Sequence, residues 1–273
     1  ECLTVIRGDL RDQDALRQAM NGVDIVFHLG AIVSIPYSYK HPQEVIDTNV
    51  IGSTAALLAA RDCELDRFIH TSTSEVYGTA QYVPIDEDHP LQGQSPYSAS
   101  KIGADKIAES FRDVYGLPLV TVRPFNMYGP RQSGRAVIPT IIKQALFSET
   151  INLGSLHPTR DFTFVKDTVE VYCELATANG VLGEVFNVGT GEEISVGNLA
   201  ELILDLTDSS ADIITEEERK RPEDSEVERL MADCQKLKTA LEWSPRSLRE
   251  GLDRTIEWIR NNKHFYDVDA YSI

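Results

Sequence analysis

Cysteine is scarce in this chain. Four residues, Cys2, Cys63, Cys173 and Cys234, are scattered over 273 positions without metal-ligand spacing. That argues against a disulfide scaffold or a zinc module and predicts reduced thiols in a cytoplasmic protein. No apolar run is long enough to span a bilayer, and no secretory signal is visible. Basic residues are outnumbered: 26 Lys and Arg stand against 43 Asp and Glu, a formal net charge of −17. This balance argues against nucleic acid or an anionic membrane as the main partner. It also requires any anionic substrate to be met by a local cluster of arginines. Internal repeats and low-complexity segments are absent. The chain does not open on Met, and its first residues already fall inside a strand pattern.

At 42% hydrophobic and 25% charged residues, the composition is that of an ordinary globular protein, long enough for one large or two small domains. Residues 3–9 read as a short buried strand, 12–20 as a helix and 24–30 as a second strand. A helix is expected from about 42 to 61, a strand over 67–73 and another over 119–124. Strands alternating with helices at this spacing predict an α/β fold with a doubly wound parallel sheet. Ligands bind such sheets at the carboxyl ends of the strands. Those ends carry Gly8-Asp9, Gly30-Ala31, Ser72-Thr73-Ser74-Glu75 and Pro124-Phe125-Asn126. Beyond Arg131 the rhythm weakens. Helices are expected over 137–147, 167–178, 196–206 and 248–261, with strands over 162–165 and 185–188. Residues 216–229 form a dense charge run, and the tail from His264 is expected to be loosely held.

The stretch Ser95-Pro96-Tyr97-Ser98-Ala99-Ser100-Lys101 stands out. Ser95 is a good N-cap and Pro96 suits a first helical turn, so a helix is expected to run from here to about Tyr115, stopped by Gly116 and Pro118. Tyr97 and Lys101, four residues apart, then share one helix face. A cation beside a phenol lowers its pKa, which makes Tyr97 a candidate general base. Gly189-Thr190-Gly191 imitates a dinucleotide-binding turn, but the position of a third glycine is Ile194, and we reject it.

Taken in order, the chain carries Gly8-Asp9-Leu10, His28-Leu29-Gly30-Ala31, Thr48-Asn49-Val50-Ile51-Gly52, Ser72-Thr73-Ser74-Glu75-Val76-Tyr77-Gly78, Tyr97-Ser98-Ala99-Ser100-Lys101, Arg123-Pro124-Phe125-Asn126-Met127-Tyr128-Gly129-Pro130-Arg131 and Arg160-Asp161-Phe162. This series resembles the extended short-chain dehydrogenase/reductases that act on nucleotide sugars, over nearly the whole chain. Within them it looks most like the bacterial 4,6-dehydratases of nucleotide-activated N-acetylhexosamines that feed legionaminic acid-type surface sugars. Residues 87–97, 135–140, 154–162 and 221–230 carry that closer likeness.

The resemblance implies a Rossmann-like core over 1–130, rejoined by 159–190, and a nucleotide-sugar lobe from 131–158 and 191–273. It implies NAD as cofactor, held by Asp9, Leu10, Leu29, Gly30, Ala31, Asn49, Tyr97, Lys101 and Pro124. Thr73, Glu75, Tyr97 and Lys101 would be catalytic. Tyr97 would take the proton of the sugar 4-hydroxyl, with Thr73 bonded to the reacting oxygen, and Glu75 would take the C5 proton. Ser74, Asn126, Arg131, Val137, Arg160 and Arg221 would meet the substrate, the arginines at its diphosphate. A homodimer paired through the helices around 42–61 and 97–115 is also implied. Two departures qualify the likeness. The family's opening strand, glycine-rich turn and helix, and the strand after them, have no counterpart here, so the chain is expected to be a fragment that begins at the family's third strand. Where related dehydratases carry Thr-Asp-Glu, with the Asp as acid, this chain has Thr73-Ser74-Glu75, a pattern that also resembles UDP-glucuronate decarboxylases. Epimerase and decarboxylase readings therefore stay open. A non-enzymatic dinucleotide-binding module is disfavoured by the intact Thr73, Tyr97 and Lys101.

Overall fold

Asp12 opens the first helix, its carboxylate accepting the Ala15 amide at 3.1 Å. In the computed structural model, which describes residues 3–217 and 227–266, this helix is α1 (Gln13–Met20) and leads into strand β1 (Ile25–His28). A short helix α2 (Ile35–Lys40) follows. The helix expected over 42–61 is three pieces: α3 (Pro42–Ile46), a π-helical turn (Asp47–Ile51) and α4 (Gly52–Arg61). Next come β2 (Arg67–Thr71), a 3-10 turn (Ser74–Tyr77), α5 (Pro96–Tyr115) and β3 (Leu119–Pro124). The second half runs through β4 (Asn126–Tyr128), α6 (Val137–Phe147), β5 (Thr150–Leu153), β6 (Thr159–Arg160), β7 (Phe162–Phe164), α7 (Val165–Leu175) and β8 (Val185–Val188). It ends with β9 (Ile194–Ser195), α8 (Val196–Thr207), β10 (Asp212–Thr215), β11 (Arg229–Leu230), α9 (Gln235–Ala240) and α10 (Leu248–Asn261).

Strands β1, β2, β3 and β8 form one all-parallel sheet in that order. Every residue of β3 is buried, as expected of a central strand covered on both faces. Alternation along the strands divides the core. Phe68 and Leu119 face α1, α4 and α5 with Met20, Leu57 and Phe111. Ile69, Val120 and Val122 face α7, α9 and β8 with Val171, Leu175, Leu237 and Trp243. A separate core joins Tyr128, Ile138, Ile142, Phe164, Ile203, Leu252 and Ile259 from α6, α8, α10 and the short strands.

The expected first strand is not formed. Residues 3–9 form no regular element and no ladder among the described residues, and Leu3 and Val5 are 88% and 79% exposed. A strand needs a partner, and β1 pairs only with β2 among the described residues. The short strands β4, β5, β6, β9, β10 and β11 escape sequence reading because two to four residues carry no measurable period. Of the tail from His264, residues 264–266 are described: Phe265 is exposed, whereas Tyr266 is buried and its hydroxyl donates to the Gln132 carbonyl at 3.0 Å; residues 267–273 lie outside the described residues. Part of the charge run, residues 218–226, lies outside the described residues. No helix among the described residues is long and apolar enough to cross a membrane.

Helix α10 docks on β4 through a glycine. A Cβ on Gly251 would fall 2.0 Å from the Tyr128 hydroxyl, and that hydroxyl donates to the Leu248 carbonyl at 3.0 Å. Gly251→Ala is therefore expected to destabilise the protein by about 3 kcal/mol despite Ala's better helix propensity. Urea denaturation measures this, and an unchanged midpoint would refute the packing argument.

Candidate active site

The carboxyl end of β2 brings the catalytic candidates together. Thr73 caps the 3-10 turn, its hydroxyl accepting the Glu75 amide at 3.3 Å. The Thr73 hydroxyl and the Glu75 carboxylate both act on the Tyr97 phenol, the first lowering and the second raising its pKa. Ser74, between them, is buried. Tyr97 sits in the first turn of α5, closed by a capping box in which Ser95 and Ser98 satisfy each other's amides. Gly116 ends the helix in the left-handed conformation, φ 67°.

The expected acidification of Tyr97 by Lys101 is not found. The Lys101 ammonium donates to the Thr71 carbonyl at 2.7 Å. Burial pushes the Tyr97 phenol up to about 12, the Thr73 hydrogen bond only partly opposes this, and the charges of Glu75 and Asp105 add to it. Burial likewise makes Lys101 easier to deprotonate, opposed by the Asp105 carboxylate. The sequence rule fails here because shared helix face does not imply contact: the ammonium found a backbone carbonyl instead.

The π-helical turn explains Asn49. The extra residue per turn rotates this side chain inward, where it is fully buried. Its oxygen accepts the Ile32 amide at 2.8 Å, and its amide donates to the Ile32 carbonyl and the Ser100 hydroxyl, each at 3.0 Å. Ser100 in turn donates to the Tyr97 carbonyl at 2.6 Å. Asn49 thus ties the loop after β1 to the first turn of α5. Leu29, Gly30 and Ala31 form that loop's start, and Leu29 is exposed. The Leu10 side chain covers Gly30 and Gly52, where added Cβ atoms would come within 3.2 and 2.9 Å of it. Asp9 is clasped by Arg11, whose guanidinium and amide hold its carboxyl well below the usual range. Pro124 ends β3 and is buried.

The substrate candidates lie on the next segments. Asn126 pairs with Phe162 across β4 and β7, and its side-chain oxygen is buried without a hydrogen-bond partner among the described residues. Arg160, 8% exposed, donates to the Thr159 carbonyl at 2.9 Å. Arg131 is exposed, with its backbone in the left-handed region at φ 69°. Val137 opens α6, half-buried. Arg221 lies outside the described residues.

Sequence reading missed the polar layer beneath these groups. Asp105, one turn beyond Lys101, accepts from His70 at 2.9 Å, Ser72 at 2.8 Å and Arg123 at 3.2 Å. Arg123 also donates to the Tyr77 hydroxyl, which donates to Asn187 at 2.7 Å. A signal existed: Asp105 falls among Lys101, Ala104, Ala108 and Phe111 on the apolar face of α5, where a carboxylate requires partners. The Gly189-Thr190-Gly191 decoy also has a structural use. The amides of Thr190 and Gly191 and the Thr190 hydroxyl donate to the buried Asp161 carboxylate at 2.8, 2.9 and 2.7 Å.

A parallel α/β sheet with its Tyr, Lys, Thr and Glu at one carboxyl end defines a protein of the Rossmann-like dehydrogenase/reductase class. Residues 1–255 match the family model described as GDP-mannose 4,6 dehydratase, and the chain belongs to that family of nucleotide-sugar dehydratases and epimerases. It is 33% identical over 255 residues to the low-salt glycan biosynthesis protein Agl12 of Haloferax volcanii, covering 93% of this chain and 81% of that one. Among solved structures it is similar to the dTDP-glucose 4,6-dehydratase DesIV of Streptomyces venezuelae, determined with NAD bound (TM-score 0.85, 30% identity, 95% of this chain and 80% of that one). It is equally similar to the UDP-N-acetylglucosamine 4-epimerase of Methanobrevibacter ruminantium, in complex with UDP-N-acetylmuramic acid (TM-score 0.88, 30% identity, 95% and 83%).

Buried histidines make stability depend on pH. His28, against Ser53 at 2.9 Å and stacked 5.9 Å from His70, is lowered to about 3, first by burial and then by the charges of His70 and Lys101. The unfolded imidazole takes a proton near pH 6.5 that the folded one refuses. Stability therefore rises with pH between about 3 and 6.5 and is lost as pH falls through that window, by up to about 1.4 kcal/mol per unit. His70, also lowered by burial, acts in the same direction. Urea midpoints are expected to fall from pH 7 to pH 5 and to fall less steeply in His28→Gln. Parallel slopes in the two proteins would remove His28 from the account.

Proposed function

We propose that this chain is an NAD-dependent 4,6-dehydratase of a nucleotide-activated sugar, of the UDP- or GDP-N-acetylglucosamine type, serving cell-surface glycan biosynthesis in the cytoplasm. The observation that carries the reading is the convergence of Thr73 and Glu75, at the carboxyl end of β2, on the buried Tyr97 phenol. Such a cluster suits a sugar that must lose protons at two neighbouring carbons. The residues present fit the nicotinamide ribose. Lys101 spends one N–H on Thr71 among the described residues, which leaves donors for a diol, and exposed Leu29 offers apolar ground beside Gly30 and Ala31. When bound, NAD would supply a hydride acceptor for the sugar C4, the return of that hydride to C6 once water has left, and a positive charge that favours the Tyr97 phenolate.

In this reading Lys101, Tyr97 and Asn49 hold the cofactor's reactive end, with Leu10, Leu29, Gly30, Ala31 and Pro124 around it and Asp9 at the far end. Tyr97 takes the 4-hydroxyl proton, and Thr73 fixes that oxygen. A ketone at C4 acidifies the C5 proton, which the Glu75 carboxylate removes, and a solvent-derived proton returns to C5 when the hydride reaches C6. The Ser74 hydroxyl lines the sugar pocket, and a water passes the proton to the departing 6-hydroxyl, since an alcohol is a poor acid. Arg131, Arg160, Arg221 and Asn126 meet the diphosphate, and Val137 packs on the base. The first sheet and its two cores (residues 1–130 and 159–190) form the cofactor domain, and 131–158 with 191–273 the substrate lobe. Exposed Ile46, Ile51 and Val114 support a homodimer paired through α3, α4 and α5.

A 4-epimerase is the second reading, favoured by Ser74 where an acid would assist elimination and by the epimerase among the similar structures. Incubation with UDP- and GDP-N-acetylglucosamine in D2O separates them. Dehydration gives a product lighter by one water with deuterium at C5, and Glu75→Gln is expected to lose that deuterium. Unchanged mass with inverted C4 would establish the epimerase, and loss of carbon dioxide from UDP-glucuronate a decarboxylase. Tyr97→Phe is expected to slow any of these by about 10²-fold or more; unaffected turnover would dismiss the catalytic assignment.

A further inference from the structure

The proton-transfer pair stands on a buried carboxylate that the reaction itself does not use. Asp105 is 1% exposed. It lies on α5 four residues beyond Lys101, on the same helix face. Three donors reach it from two neighbouring strands: His70 and Ser72 from β2 and its exit, and Arg123 from β3. Ser72 immediately precedes Thr73, and Arg123 immediately precedes Pro124. One carboxylate therefore fixes α5, which carries Tyr97 and Lys101, against the strand ends that carry Thr73, Glu75 and Asn126.

The charges around it give this anchor a second consequence. The ionisable groups that face the pair are His28 on β1, His70 on β2, Glu75 on the 3-10 turn, Asp105 on α5, Arg123 on β3 and Tyr172 on α7. Tyr172 donates to the Thr71 hydroxyl at 2.9 Å, and Thr71 also accepts Lys101 through its carbonyl. Both histidines are kept neutral by burial. Asp105 is thus the anion that balances the buried Lys101 and Arg123 cations, while the more exposed Glu75 faces Tyr97.

We propose that Asp105 is a positioning residue of the proton-transfer site: it holds the Lys101 ammonium in its charged form and aligns the Tyr97 helix with the Thr73 turn. This rests on the catalytic reading of Tyr97 and Lys101. Electrostatic support for Lys101 from Asp105, and its opposition to ionisation of Tyr97, agree with the geometry.

The test compares the full chain with Asp105→Asn, Asp105→Glu and Tyr97→Phe. In Asp105→Asn, kcat is expected to fall about tenfold or more with KM for the nucleotide sugar nearly unchanged. Both limbs of the pH–rate profile should move to lower pH by about one unit, because loss of the anion eases deprotonation of both Tyr97 and Lys101. A readout independent of turnover is the ¹³Cε shift of Lys101 in ¹³C-lysine-labelled protein without nucleotide, assigned by its loss in Lys101→Met. Its titration midpoint should fall by a similar amount. Asp105→Glu keeps the charge and is expected to leave limbs and midpoint in place while lowering kcat. This arm stands even if the Asn variant does not fold. A lower melting temperature with unmoved limbs and an unmoved Lys101 midpoint would reduce Asp105 to a structural residue and overturn the proposal, as would limbs that move in Asp105→Glu. Full turnover in Tyr97→Phe would instead defeat the catalytic reading, while the Lys101 midpoint would still report on Asp105.

Discussion

Desolvation governs this site. Tyr97, Lys101, Asp105, His70 and Arg123 are all withdrawn from water, and each ionised form must find compensation inside the protein. The arrangement around Asp105 is what that requirement produces: one carboxylate with three donors, one guanidinium shared between Asp105 and Tyr77, and two imidazoles that remain neutral. Tyr97 and Lys101 are the least compensated part of the layer. Among the described residues the Thr73 hydroxyl acts on Tyr97, and Lys101 donates to a single carbonyl. Groups left with spare hydrogen-bonding capacity at a strand's carboxyl end are groups prepared to engage a ligand.

A second carboxylate plays the matching part in the other half. Asp161, fully buried, gathers the amides of Thr190, Gly191 and Ala232. Gly189 is required there because a Cβ would meet the Ala232 Cβ at 2.4 Å and the Asp161 carboxylate at 2.7 Å. The segment after β8, the segment after β11 and the join between β6 and β7 therefore converge on one anion. Two consecutive amides of a glycine turn form an anion cradle, and here the anion they hold is part of the chain.

Much of the architecture was legible because the relevant signals are local. The α5 helix followed from Ser95, Pro96 and Gly116, and β3, β8, α6 and α10 followed from their apolar periods. Where a feature depends on distant partners, the sequence was silent or misleading. The strand expected over residues 3–9 has no ladder partner among the described residues, and the paired strands β5 and β10 are too short to announce themselves. The candidate residues were found by motif, but their electrostatics were not. A Tyr four residues before a Lys suggests an acidic phenol, whereas burial and the preference of Lys101 for Thr71 decide the opposite. The Asp105 layer was hidden for the same reason, since its His, Ser and Arg partners come from two other strands.

The π-helical turn at Asp47–Ile51 places an unusual limit on how this chain can change. One residue too many in a helix offsets everything after it by roughly 100° relative to a regular continuation. Here α3 and α4 bury their own faces while Asn49, between them, faces the Ile32 loop and Ser100. Deleting a single residue from the turn would restore ordinary helical winding and send either Asn49 or the α4 face to the wrong side. Divergence in this segment is therefore confined to exchanging side chains at constant length, and an alignment gap placed there would mark a protein whose loop after β1 is anchored by other means.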